Sequence, residues 1–134
     1  MKKTLLGCTL LITAFIIGCA GQLAMKQMRV DPSQVNVGNQ VKIIVAFSGP
    51  KNDVASVIAA VQESPETIYT LNDSGENGDE KAGDAIWTHT VTVPWDTPSA
   101  TYHLDIRALD KNGNEIGFEQ QAADQNRTIA VTIL

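Results

Sequence analysis

Four stretches of the chain alternate apolar and polar side chains with a period of two. Gln40 to Phe47 sets Val41, Ile43, Val45 and Phe47 on one side, with Gln40 and Lys42 on the other. Thr101 to Ala108 directs Tyr102, Leu104, Ile106 and Ala108 one way and His103, Asp105 and Arg107 the other. Ile86 to Val93 opposes Trp87, His89, Val91 and Val93 to Thr88, Thr90 and Thr92. Thr128 to Ile133 opposes Ile129, Val131 and Ile133 to Thr128 and Thr132. Successive side chains of an extended strand point to opposite faces, so the pattern predicts half-buried antiparallel strands. Val54 to Gln62 alternates through Val57, Ala59 and Val61; its alanines also suit a helical turn, but strand-like neighbours on both sides favour a strand. Thr67 to Leu71 and Lys26 to Val30 bring the expected number to seven.

Turn residues separate these runs: Asp31-Pro32 and Val37-Gly38-Asn39, then Ser48 to Asp53, Pro94 to Ser99, and Lys111 to Asn114. Short strands with such punctuation predict an all-β domain over residues 28–134, a two-sheet antiparallel sandwich whose facing apolar surfaces form the core. At 134 residues the chain has room for one ordinary domain, and 43% hydrophobic residues are enough for a packed interior. No repeat and no internal domain boundary is visible.

The first residues follow a different rule. Met1, Lys2 and Lys3 precede an uncharged, mostly apolar run from Leu5 to Ile17. That run has the size of a signal-peptide core and is short for a bilayer span, which takes about 20 residues. It ends in Ile16-Ile17-Gly18-Cys19-Ala20. This segment resembles the lipobox of bacterial lipoproteins, with a small residue before an obligatory cysteine. Leu5-Leu6-Gly7-Cys8 matches the same short pattern but has no apolar run ahead of it. The competing readings are an uncleaved membrane helix, or an ordinary secretory signal with an incidental cysteine. The resemblance implies cleavage between Gly18 and Cys19, removal of 1–18 as signal peptide, lipidation of Cys19, and a tether over 19–27. Cys8 would leave with the signal and Cys19 would be blocked, so no disulfide is expected. Because Ala20 is not Asp, the resemblance points to the outer membrane if the source is Gram-negative.

Cleavage would also change the charge. Loss of Lys2 and Lys3 takes 10 basic side chains to 8 against 15 acidic ones, so a net of −5 becomes −7. An acidic domain argues against nucleic acid as a partner, which calls for a basic face.

Val30-Asp31-Pro32 with Val37-Gly38-Asn39-Gln40-Val41 resembles the opening of bacterial immunoglobulin-like domains. Thr101 to Asp110 with Asn112-Gly113-Asn114 is similar to their penultimate strand and hairpin, and Tyr102 falls where a tyrosine corner would sit. The resemblance implies an immunoglobulin-like sandwich, a fold that hosts unrelated functions.

One loop concentrates charge. Asp73, Glu76, Asp79, Glu80 and Asp84 against Lys81 give a local −4. The run Asn72 to Thr88 resembles a "D.G..GD..AGD" segment of Ig-like modules in bacterial surface proteins, where glycine often follows the last aspartate; here that residue is Ala85. Clustered carboxylates need solvent, backbone amides or a cation to offset their repulsion. Calcium takes six to eight oxygen ligands. Asp73, Asp79 and Asp84, with Asn77 next, are the candidate ligands. The spacing is not that of an EF-hand: Gly75 and Lys81 stand where ligands would be, and no helices flank the loop. The alternative is a Gly/Asp turn whose aspartates cap amides.

Catalytic candidates are sparse. His89 and His103 are the two histidines, and no nucleophile elbow, phosphate loop or zinc motif accompanies them. His103 is expected to be a solvated strand residue beside Asp105. His89 shares a face with Trp87 and is expected at the rim or in the core. Trp87 is expected in the core, and Trp95 either covers the end of the sandwich or binds a ligand. The expectation is a non-catalytic, lipid-anchored envelope module that binds an envelope protein or polymer. The alternative is a calcium- or carbohydrate-binding sandwich using the acidic loop 73–84 and Trp95, and a metal-dependent small hydrolase is the third reading.

Overall fold

The computed structural model describes residues 23–76, 78–117 and 128–134. Gly18, Cys19 and Asn77 lie outside the described residues. The described chain forms eight strands: β1 (Ala24–Asp31), β2 (Gln34–Val35), β3 (Gln40–Ser48), β4 (Val54–Val61), β5 (Ser64–Thr70), β6 (Ile86–Thr92), β7 (Ala100–Asp110) and β8 (Thr128–Ile133). One sheet has the order β1-β3-β6 and the other β2-β8-β7-β4-β5. All pairings are antiparallel except β2 with β8. Among the described residues no helix is long and apolar enough to cross a membrane.

The period-two pattern sets the core. Met25, Ile43 and Val45 of the first sheet face Val57, Ala59 and Ile106 of the second, all at 1% exposure or less. Each fully buried side chain of this kind stabilises the fold by about 1.5–3 kcal/mol relative to leaving it exposed. Among the described residues the core cluster draws on both sheets, from Met25 of β1 to Ile133 of β8. The Tyr102 hydroxyl donates to the Pro98 carbonyl at 2.9 Å, which ties the start of β7 to the connection before it.

Three features depart from the sequence-based expectation. The folded unit reaches beyond residue 28 toward the N-terminus, because β1 begins at Ala24 and Met25 is fully buried. A register shift between Met25 and Gln27 breaks the strict alternation that would have shown this. β5 begins at Ser64 rather than Thr67; it runs through Pro65, tolerated because β5 is an edge strand and the missing N–H interrupts no ladder. Thr88, expected on the solvent face of β6, is buried at 2%.

The last point has a local cause. β6 is the edge of its sheet, and Asn72 pairs with it as an isolated bridge to Thr88. Backbone bonds of 2.9 and 3.0 Å join the two residues, and the Asn72 side chain adds a third to the Thr88 carbonyl. The acidic loop then folds back over the outer face of this sheet, where Gly78 rests against Thr90 and Lys42. Ile44, on that outer face, is buried although it stands apart from the inter-sheet core.

The sandwich has two distinct ends. At one, Ala24 pairs with Ser48 and Val54 with Asp110. At the other, Gln40 pairs with Thr92, Ala100 with Ile133, and the Gln62-Glu63 turn joins β4 to β5. Chain entry is thus at the end opposite the β6–β7 connection, which carries Trp95. Along β1, eight residues at about 3.4 Å each separate the two ends.

Candidate functional site

Asp73, Asp79 and Asp84 are brought together by the loop between β5 and β6. Each offers a carboxylate oxygen, and the three oxygens lie within 4.8 Å of one another. Asp79 is buried at 6% exposure, and the other two are half-buried. The loop is wound through glycines at positive φ, Gly75 and Gly78 among them, and Gly78 packs so tightly on Thr90 that a side chain there would not fit. Ala85 also adopts a left-handed conformation, at φ 63°, in the position where the resembling segments carry glycine. It is held there by its carbonyl, which accepts from the Phe47 N–H at 3.0 Å, and by burial of its methyl group.

Each aspartate already accepts one backbone amide. Gly75 N–H donates to Asp79 Oδ2 at 2.7 Å, Ala85 N–H to Asp73 Oδ2 at 3.2 Å, and Ile86 N–H to Asp84 Oδ1 at 2.9 Å. The amide-capped turn is therefore present, and it converges the acids as well. Asp73 Oδ1 is buried with no hydrogen-bond partner among the described residues. Burial pushes the Asp73 carboxyl above the ordinary aspartate range, and the adjacent Asp84 and Asp79 carboxylates push it the same way against the Ala85 N–H. Lys42 approaches the loop through Glu80 at 3.9 Å, but Glu80 is so exposed that the pair contributes little.

The sign for stability follows. A carboxyl whose folded pKa is raised favours folding below its ordinary pKa and loses that contribution as pH rises through the folded value. At neutral pH and without a cation, the Asp73 charge therefore opposes folding. Asp73→Asn keeps an acceptor for the Ala85 N–H and removes the charge. Its metal-free melting temperature at pH 7 is expected to exceed that of the wild type, and the difference is expected to shrink as pH falls through the Asp73 range. Calorimetry across that pH range checks both statements.

The histidines lie in separate places. His89 stacks on Tyr69 with ring centroids 5.5 Å apart and is half-buried, packed between the sheets. His103 is not simply solvated: its Nδ1 is 2.6 Å from Glu63 Oε1, and its backbone N–H donates to the same carboxylate. These bonds hold Glu63 below the ordinary glutamate range, whereas Asp105 pairs with Arg107. Trp87 packs against the core, half-buried. Trp95 is 81% exposed, and its six-membered ring lies against Gly38, where a Cβ would stand over Cζ2, Cη2 and Cε2. It rests on the turn at that end of the sandwich.

Sequence reasoning missed a cavity of about 520 Å³ that opens between the sheets at the Trp95 end. Its lining comes from β3 to β8, Tyr69 and Tyr102 among it, and from Pro94, Asp96, Thr97 and Pro98 of the β6–β7 connection. The available signal was composition: with 5% aromatic residues, this end of the interior is furnished largely by valines.

No protein-family model matches the chain, and no curated protein matches it. Among solved structures it is similar to an alkylpurine DNA glycosylase, AlkC, from Pseudomonas fluorescens, at 10% identity and TM-score 0.49 over 84% of this chain; the chain spans 30% of that protein's length. It is similar to a Niemann-Pick type C2 protein from Japanese carpenter ant at 12% identity and TM-score 0.48, covering 87% of this chain and 96% of that one. It is also similar to a PKD domain of an M14-like peptidase from a Thermoplasmatales archaeon at 16% identity and TM-score 0.46, covering 85% and 98%.

Proposed function

We propose that the chain is a non-catalytic, lipid-anchored module of the bacterial cell envelope with an immunoglobulin-like sandwich. Its Trp95 end would meet an envelope protein or polysaccharide. The observation that carries this reading is polarity: β1 enters at one end, and exposed Trp95 stands at the other. The lipobox-like Ile16 to Ala20 supplies the anchor. From Cys19 to Ala24 the chain can reach at most about 18 Å, so the entry end would sit close to the membrane with Trp95 directed away from it. The strand arrangement supports the immunoglobulin-like assignment. β1-β3-β6 corresponds to strands A, B and E of such domains, β8-β7-β4 to G, F and C, and Tyr102 makes the corner bond at the start of the F-like strand. The histidines lie apart, His103 on Glu63 and His89 stacked on Tyr69 with its Nδ1 buried and unpartnered among the described residues, and their separation supports a binding role over a hydrolytic one that would use both.

The test is photocross-linking in living cells. A photoreactive side chain at exposed Ser99, beside Trp95 in sequence, is expected to give discrete adducts that disappear with Trp95→Ala. The same group at Lys26 is expected to give none. Equal yields at the two positions would overturn the reading.

A second reading is favoured by the convergence of Asp73, Asp79 and Asp84 and by the unpartnered Asp73 Oδ1. The loop would hold a hard divalent cation such as calcium, which takes oxygen ligands and would neutralise three carboxylates at once. At about five times a millimolar dissociation constant, calcium would stabilise the domain by ~1 kcal/mol. The melting temperature is expected to rise by several degrees in millimolar calcium, and Asp79→Ala is expected to remove the rise. An unchanged wild-type transition would exclude this reading.

A further inference from the structure

We propose that the cavity between the sheets is a binding site for a small apolar molecule that ends in an amine or a hydroxyl group. This site is separate from the acidic loop and from Trp95, and it does not depend on lipidation of Cys19. Its volume of about 520 Å³ falls within the range of about 300–1,000 Å³ usual for small-molecule sites. Stacked sheets lie roughly 10 Å apart and need large side chains to fill the space between them. Here Val41, Val61, Val91, Val93 and Val131 line the gap, and their short side chains leave it open. The surface is therefore apolar on both sides, from Ile43 of β3 to Leu104 of β7.

The polar groups at the mouth define the head group. Ser64 and Thr67 hydroxyls bond each other at 3.0 Å, and the Tyr102 hydroxyl is committed to Pro98. Tyr69, Asp96 and Thr97 are the other polar residues of the lining, and exposed Asp96 is the one charged group among them. No basic side chain among them would receive a carboxylate or phosphate. An amine or hydroxyl is complementary to Asp96, whereas a fatty-acid carboxylate beside it would be repelled.

The test uses the chain from residue 20 onward, which contains both sheets and the core of the described residues. Neutral N-phenylnaphthylamine serves as a fluorescent probe, and dodecylamine, dodecanol and dodecanoate serve as competitors. Probe fluorescence is expected to rise on binding. Dodecylamine and dodecanol are expected to displace it at concentrations at least about tenfold lower than dodecanoate does, tenfold being ~1.4 kcal/mol. Val91→Trp places an indole in the cavity and is expected to abolish probe binding while the protein stays folded. Should Val91→Trp not fold, Thr67→Trp at the mouth is expected to block entry instead. Asp96→Asn is expected to narrow the gap between amine and carboxylate. Absence of probe binding to the folded wild type, or binding that survives both tryptophan variants, would overturn the site. Equal displacement by dodecylamine and dodecanoate would overturn the head-group assignment.

Discussion

Cys19→Ala in the full chain, expressed in a bacterium that processes lipoproteins, is expected to eliminate labelling by palmitate. The wild type is expected to label strongly and to yield a mature protein whose first residue is a modified Cys19. The effect is all-or-none because the thiol is the acceptor of the lipid, and no nearby side chain can replace it. Cys8 cannot compensate: it sits ahead of most of the apolar run, and under this reading it is discarded with the signal. The number of acyl chains matters as well. One chain binds a bilayer only marginally, so stable attachment takes two signals or more, and intact mass should show more than one acyl group on residue 19. A Cys8→Ala control is expected to label normally. Palmitate incorporation that survives Cys19→Ala, or a wild-type mature chain starting elsewhere, would remove the anchor from the proposed function. The cavity and the acidic loop would be untouched by that result.

Strands with strict alternation were legible from the residues themselves. β3, β6, β7 and β8 each follow a period of two, and β4 does so despite its alanines, because Val57, Ala59 and Val61 occupy the buried face. The losses occur where the chain departs from regular pairing. A bulge hides Met25, and an edge position admits Pro65. β2 is only Gln34–Val35, too short to show any period, and is fixed by its parallel pairing to β8 far along the chain. Thr88 looks like a solvent-facing residue until Asn72 and the acidic loop cover it. The convergence of Asp73, Asp79 and Asp84 was legible because it is local, with twelve residues and several glycines defining one turn. The Glu63–His103 pair was not, since forty residues separate its members and only the β4–β7 pairing brings them together. The cavity was the least accessible of all, because it arises from how far two sheets of small side chains stand apart.

Gly38→Ala is expected to destabilise the domain by about 2 kcal/mol, a fall in melting temperature of ~10 °C, through two separable causes. Gly38 has φ 82°, a left-handed conformation that costs a residue with a Cβ about 1–2 kcal/mol. The turn cannot relax to avoid that strain. The Gly38 N–H donates to the Val93 carbonyl at 2.8 Å, and the Val93 N–H donates to the Asn39 carbonyl at 2.9 Å, so both flanks are bonded to the end of β6. The second cause is contact: a Cβ at this position would meet Cζ2, Cη2 and Cε2 of Trp95, and the ring would have to swing off the turn. A double-mutant cycle divides the two. In a Trp95→Ala background the clash is absent, so Gly38→Ala is expected to cost only the backbone strain, about 1 kcal/mol less than in the wild type. Trp95→Ala alone should change stability little, because the residue is 81% exposed. The same cycle bears on function. If the Trp95 ring is a contact surface, its seat on Gly38 fixes its orientation, and Gly38→Ala should weaken the Ser99 cross-link at temperatures where the domain remains folded. An equal cost of Gly38→Ala in both backgrounds would show that the indole is not held by the turn, and Trp95 would lose its place as a preoriented contact.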